Sequence, residues 1–244
     1  MKKKNKKTLS LIIILLIALG SSAALAWHAV RAVRSSAFFR VKGVVVASNA
    51  NIDVSHLVGR NIFDVDLRRE IQSLRNKYTR LRILNVSRRF PDRMAINSRP
   101  RVAIAQIKSY RYLFIDEDAV ILPEESDYSS NALPVIVGLE SKISRPRHGW
   151  SYADLREIKT AFELIKQLKN NPDTAGLDIA KIDVSSLGNL SFSIRPSGLT
   201  VKVGDEDIKK RVRSLGAILR KLDAKLEGLS YVDLRFSEPV VKPK

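Results

Sequence analysis

The chain closes with LSYVDLRFSEPVVKPK, Leu229 to Lys244. Tyr231, Val232, Asp233, Leu234, Arg235 and Phe236 read as one strand, with Tyr231, Asp233 and Arg235 facing one way and Val232, Leu234 and Phe236 the other. Such a strand is either an interior member of the sheet that closes the domain or an edge strand with a single neighbour. Its apolar side joins the core, and its outer backbone groups stay open if it lies at the sheet margin. Pro239 and Pro243 lack an amide hydrogen, so the tail is expected not to pair with itself and to limit that open edge without closing it.

Working outward, a helix is predicted from Asp205 to about Glu227, with Ile208, Val212, Leu215, Ile218, Leu222 and Leu226 as its apolar stripe and Gly228 just past its end. Strands are predicted at Ile179–Val184, Leu190–Ile194 and Leu199–Val203, broken at 186–189 and at Pro196-Ser197-Gly198. Before them, Leu155, Ile158, Phe162, Ile165 and Leu168 mark a helix from about Ser151, its expected N-cap, to Asn170. The first segment, Phe38 to Ile107, reads strand, helix, helix, strand, strand. Its longer helix carries Leu67, Ile71, Leu74 and Tyr78 behind Asp64 or Asp66, and its last two strands meet at Pro91-Asp92. Helices and strands mixed in this way give an α+β chain with a mostly antiparallel larger sheet.

The formal charge is +18, from 43 Lys and Arg against 25 Asp and Glu. Lys2, Lys3, Lys4, Lys6, Lys7, Arg31, Arg34, Arg40 and Lys42 supply half of that excess, and they flank one apolar run. From Thr8 to Val30 no side chain carries a formal charge, and at ~1.5 Å per residue this run reaches across a hydrocarbon core of ~30 Å. Trp27 stands where an interfacial aromatic belongs, and the lysines before Thr8 favour a cytoplasmic amino terminus. The rival reading is a signal peptide cleaved after Ala26, since Ala24-Leu25-Ala26 fits the small-x-small rule. Either reading carries the remainder out of the cytoplasm, so its basic surface faces lipid, wall polymer or protein, and no nucleic acid is expected.

Chemistry is sparse. There is no cysteine, which excludes thiolate nucleophiles and Cys-held metal. His28, His56 and His148 share no ligand spacing, so no metal and no cofactor is expected. Asp116, Glu117, Asp118, Glu124, Glu125 and Asp127 lack the glycine and alternation of a calcium loop and read as a solvated hairpin rim. No G-x-S-x-G, phosphate loop or G-x-G-x-x-G occurs. Lys209, Lys210, Arg211, Arg213, Arg220, Lys221 and Lys225 surround the stripe of the last helix. They read as a solvated face, the alternative being contact with anionic lipid or an acidic partner.

Several stretches carry a resemblance. VKG at Val41–Gly43, GRNIFDVD at Gly59–Asp66, RRFPDRMAI at Arg88–Ile96, PVIVG at Pro134–Gly138, GLTVKVGDEDIKKRVRSL from Gly198 and the final YVDLRF together resemble the FtsQ/DivIB family of bacterial cell-division proteins. Two departures are visible. Ser98 to Ala103 replace the family's Glu-Arg-x-Pro-Val-Ala run, and YRYLFIDEDAVIL, Tyr110–Leu122, resembles the family's short hairpin turning at Asp116-Glu117-Asp118-Ala119, with Ala119 where glycine is usual.

The resemblance implies a cytoplasmic tail at 1–8, an uncleaved spanning helix at 9–30, a linker at 31–37, a POTRA domain at 38–107, a second domain at 108–237 and a tail at 238–244. It also implies a non-catalytic divisome scaffold, single-pass in the cell inner membrane at the septum. Such a scaffold docks FtsB-like and FtsL-like coiled-coil proteins, and further septal wall-synthesis proteins, by strand addition at its last strand. The matching partner-binding positions are Tyr231, Arg235, Phe236, Ser237 and Glu238. The competing expectation, with cleavage after Ala26, is a periplasmic POTRA-type chaperone or transport module.

Overall fold

A computed structural model describes residues 2–47, 50–221 and 228–244, which divide into two compact units, 1–99 and 100–244. The first unit opens with helix α1, Lys2–Ser35. Its Ile14–Ser35 stretch is long and apolar enough to span a bilayer, and none of it is buried within the protein. Ser36 leaves the helix in extended conformation and its hydroxyl accepts the Phe38 amide. The free carbonyls at the helix end are met by Asn61, whose side-chain amide donates to Val33 O at 3.2 Å and Arg34 O at 2.6 Å.

Beyond the helix, strands β1 (Gly43–Val46), β2 (Leu81–Arg89) and β3 (Arg93–Pro100) form a sheet in the order β1-β3-β2, with β1 parallel to β3. Helix α2, Leu67–Lys77, begins at Asp66, whose carboxylate accepts the amides of Arg68 and Arg69 at 3.0 and 3.2 Å. The short helical signal around His56 is a 3-10 turn, Ser55–Leu57. Val41, Leu57, Ile62, Leu74, Ile83, Met94 and Ile96 close a core between sheet and helix. The expected element order is therefore observed.

The described residues of the second unit form a nine-stranded sheet packed with helices. Its strands are β4 (Ala103–Lys108), β5 (Tyr112–Asp116), β6 (Ile121–Ser126), β7 (Val135–Val137), β8 (Asp178–Asp183), β9 (Ser191–Arg195), β10 (Thr200–Lys202), β11 (Leu229–Asp233) and β12 (Val240–Pro243). They run in the order β12-β11-β10-β9-β8-β7-β4-β5-β6. Parallel pairing occurs at β4–β7, β7–β8 and β10–β11, and the other pairings are antiparallel. Two of the parallel joins are crossovers: α3, Arg156–Asn170, links β7 to β8, and α4, Ile208–Lys221, links β10 to β11. Their apolar stripes, Ile158 to Leu168 and Ile208 to Leu219, share one core with Ile107, Ile136, Phe192, Val201 and Val232.

Three expectations shift, and part of one more lies outside the described residues. The strand expected to end the first domain at 107 is split at Arg101-Val102, and its second half, β4, belongs to the larger sheet. Helix α3 starts after Leu155 rather than at Ser151, because 149–152 are already committed as backbone partners of the hairpin. Gly149 and Tyr152 donate to Ile121 O and Ala119 O, and Ile121 donates to Trp150 O. For α4, the expected stripe members Leu222 and Leu226, together with Lys225, lie outside the described residues.

The third shift concerns the carboxyl end. The strand expected over 231–236 runs from Leu229 to Asp233 and is interior, pairing parallel with β10 and antiparallel with β12. The tail expected not to pair supplies β12 itself. The prolines permit this because Pro239 precedes the strand and Pro243 ends it, at the sheet margin. Phe236, expected on the core side, lies past the strand and is 61% exposed.

Gly138, last residue of PVIVG, has φ +91, and a Cβ there would stand 2.4 Å from the Ser185 amide nitrogen where β7 and β8 separate. A backbone neighbour cannot swing aside. Gly138→Ala is expected to destabilise the second unit by at least ~2 kcal/mol, from left-handed strain plus the clash. Thermal unfolding of the variant at an unchanged temperature would contradict this.

Candidate functional site

Five residues expected at the partner site lie along one corner of the sheet, with unequal roles. Arg235 folds back onto Asp233, donating from Nε at 2.9 Å and from Nη2 at 2.7 Å to its two carboxylate oxygens, and its backbone amide also donates there, at 3.1 Å. Its Nη1 donates to Asn189 Oδ1. Asp233 is buried, and the guanidinium beside it holds its carboxyl below the ordinary value of 3.8, while the carboxylate raises Arg235 in return. The Asp-Leu-Arg part of the motif is therefore a clamp that ends β11 and turns the chain.

Gly204, at φ +67, completes the clamp's floor. A Cβ there would meet Arg211 Nη1 at 2.5 Å and approach Arg235 Cγ at 3.5 Å. Arg211 donates from Nη1 to Val203 O and from Nη2 to Arg235 O at 3.5 Å, tying the β10 end and the turn to α4. One cation of the basic helix face is thus spent on structure rather than left to solvent.

Tyr231 is half-buried with its ring between two ammonium groups, Lys202 Nζ at 5.2 Å and Lys242 Nζ at 5.9 Å from the centroid. Phe236, Ser237 and Glu238 are exposed in the loop between β11 and β12. Val240 and Val241 follow, both exposed on the margin strand. Sequence reasoning missed these valines because the flanking prolines were read as keeping the tail from pairing. The signal was present in the pair Val240-Val241, a β-branched dipeptide suited to a strand.

The direction of the β12 backbone groups follows from one bond. Lys244 N–H donates inward to Gly228 O at 2.9 Å. Alternation along an extended strand then turns the groups of Lys242 and Val240 toward β11 and those of Val241 and Pro243 outward. Pro243 has no N–H, so the outer margin of β12 offers the Val241 amide together with outward carbonyls.

The other margin of the sheet is covered at its Ile121–Leu122 end. His148 Nδ1 lies 2.6 Å from Leu122 O, and the bonds from 149–152 described above occupy that flank of β6. The acidic rim expected to be solvated is largely ion-paired. Arg101 reaches Asp116, which is 2% exposed, and Asp118 at 3.3 Å, while Arg111 holds Glu125 at 2.6 Å and Asp127 at 2.7 Å. His56 is engaged with Glu70 at 2.9 Å. Among the described residues, no three acidic or histidine side chains converge as a metal set.

The Asp233 clamp carries a pH signature. Its folded-state pKa is lowered, so its contribution is present above the ordinary 3.8 and fades as pH falls through the lower folded value. Asp233→Asn is expected to cost about 1.5–3 kcal/mol at neutral pH, as for a hydrogen bond to a charged group. The gap in unfolding temperature between wild type and variant should narrow below pH 4. A gap independent of pH would refute the clamp.

Residues 103–235, just over half of the chain and the greater part of the second unit, match the family described as cell division protein FtsQ/DivIB, C-terminal. The chain is 22% identical to the cell division protein FtsQ of Syntrophotalea carbinolica, over 93% of this chain and 81% of that one. It is 23% identical to FtsQ of Geobacter sp. (strain M21), over 89% and 81%. With the cell division protein DivIB of Clostridium tetani the identity is 24%, over 84% and 79%. The matched region ends at Arg235, on the clamp itself, and the chain belongs to the FtsQ/DivIB family.

Proposed function

We propose that the protein is a non-catalytic scaffold of the division machinery, a single-pass membrane protein that holds other division proteins by adding a strand at the margin of β12. Family membership supports the division role and α1 supports the membrane anchor. The observation that carries the docking mode is the outward Val241 amide on an exposed margin strand, with exposed Phe236 at one end of it.

In this reading the partner's backbone pairs with β12, so the docking edge lies one strand further out than the YVDLRF motif. Phe236, Ser237 and Glu238 border the added strand, Tyr231 and Lys242 line the sheet face beside it, and Arg235 acts by fixing the turn. The partners are coiled-coil division proteins of the FtsB and FtsL kind, each contributing a short extended segment, with septal wall-synthesis proteins beyond them. The first unit, strand-helix-helix-strand-strand, serves as a POTRA domain and a further contact surface. The amino terminus lies in the cytoplasm and both units lie outside it, at the septum of the inner membrane.

One amide is a narrow target for mutation. Val241→Pro removes the outward donor and leaves the inward groups of Val240 and Lys242 in place. Losing one net hydrogen bond of ~1 kcal/mol predicts about fivefold weaker binding of an FtsB-like partner to the full chain, with unfolding temperature unchanged. Phe236→Ala should weaken the same complex by about tenfold if the ring is a buried anchor there. Titrations that return wild-type affinity for both variants would move the interface elsewhere.

A further inference from the structure

Four phenylalanine rings form a ladder at the end of the amino-terminal unit next to α1. Phe38 and Phe39 are 5.1 Å apart, Phe39 and Phe63 5.2 Å, and Phe63 and Phe90 5.4 Å between centroids. Phe39 is packed on the core, whereas Phe38 is 61%, Phe63 38% and Phe90 60% exposed. They come from three separate places: the turn after α1, the loop before α2 and the β2–β3 hairpin. Arg88 fastens these together, donating to Ile62 O at 2.7 Å and Val65 O at 2.8 Å and so holding the Phe63 loop against the hairpin. Exposed aromatic rings gathered from three segments have to be covered by something.

We propose that this ladder is a second membrane-binding surface, seated in the headgroup layer of the bilayer that α1 crosses and selective for anionic lipid. Continuity with the helix is the first argument. Phe38 lies three residues beyond Ser35, and the loop bearing Phe63 is joined directly to the helix end by the Asn61 bonds to Val33 O and Arg34 O and by the Arg34–Asp64 contact at 3.8 Å.

Depth agrees. From Val30, the last residue of the uncharged run, to Ser35 the helix climbs ~7.5 Å, and one headgroup layer is ~5–8 Å thick. Trp27, with the Arg31 guanidinium 5.4 Å from its ring, lies about one turn below Val30, where the hydrocarbon gives way to that layer.

Charge is the second argument. The stretches 31–42, 60–64 and 88–93, which bear the exposed rings, carry eight Arg or Lys side chains against two acids, Asp64 and Asp92. Arg40 pairs by backbone with Asn61, and Arg89 precedes Phe90, so exposed cations lie beside the rings. Aromatic rings with a basic surround are what an anionic interface binds, each cation contributing through the surface potential and each ring by entering the headgroup boundary. A protein partner would not account for a patch that begins where the spanning helix ends.

The absence of native cysteine allows a direct test on the full chain. Nitroxide labels at Phe90→Cys or Arg89→Cys, the latter keeping all four rings, are compared with one at Ser129→Cys in the second unit, in vesicles of mixed zwitterionic and anionic phospholipid. Expected is a several-fold higher ratio of oxygen to water-soluble nickel-chelate accessibility at 89 and 90 than at 129. The ratio should fall toward the 129 value in purely zwitterionic vesicles and when Phe38→Ser and Phe63→Ser accompany the label at 89. Labels at 89 and 90 as open to the chelate as that at 129, in anionic vesicles, would overturn the proposal. Shielding that appears only after a partner protein is added would overturn it equally.

Discussion

The end of the large sheet is governed by one requirement, that β11 be hydrogen-bonded on both flanks. Val232 lies at the heart of the core and Leu234 and Asp233 are buried beside it, so an unpaired ladder there would leave backbone polar groups desolvated without partners. Strand β10 satisfies one flank in parallel and β12 the other in antiparallel, and the Asp233–Arg235 clamp starts the reversal from β11 into β12. Once β12 is in place, the open margin of the sheet passes to a short, exposed strand with a proline at its end. This is a modest edge, which limits promiscuous pairing and leaves the Val241 amide directed outward.

Much of this was legible from side-chain periodicity. The stripes of α2, α3 and α4, the strands β8 to β10 and the Asp66 cap all follow from local pattern, because each buries one face on its own sheet. What failed was non-local. Ser151 looked like an N-cap until the hairpin claimed its neighbours, and 103–108 read as a continuation of β3 although their pairing partners, β5 and β7, come later in the chain. The tail misled in a similar way, since proline removes a donor from only one side of a strand and which side is a tertiary fact.

Candidate site residues were legible as a cluster and not as roles. Arg235 and Phe236 are neighbours in sequence, yet one is spent on an intramolecular clamp and the other is presented to solvent. Asn189, Gly204 and Arg211, which make the clamp possible, gave no signal beyond an ordinary loop, a glycine and one cation of a basic face. At the opposite end of the chain, the ring ladder draws on three segments whose meeting depends on Arg88 and Asn61, two polar residues inside the stretches that carry the family resemblance.

In the proposed reading the ring ladder of the first unit meets the bilayer and the β12 margin of the second meets another polypeptide. Amide hydrogen exchange resolved to single residues, on the full chain with and without an FtsB-like partner, tests the docking account most directly. The Val241 amide should exchange freely in the unbound protein and become protected on binding, while Val232, already paired within its own sheet, changes little. A Val241 amide that exchanges equally fast at saturating partner would show that no strand is added at this margin.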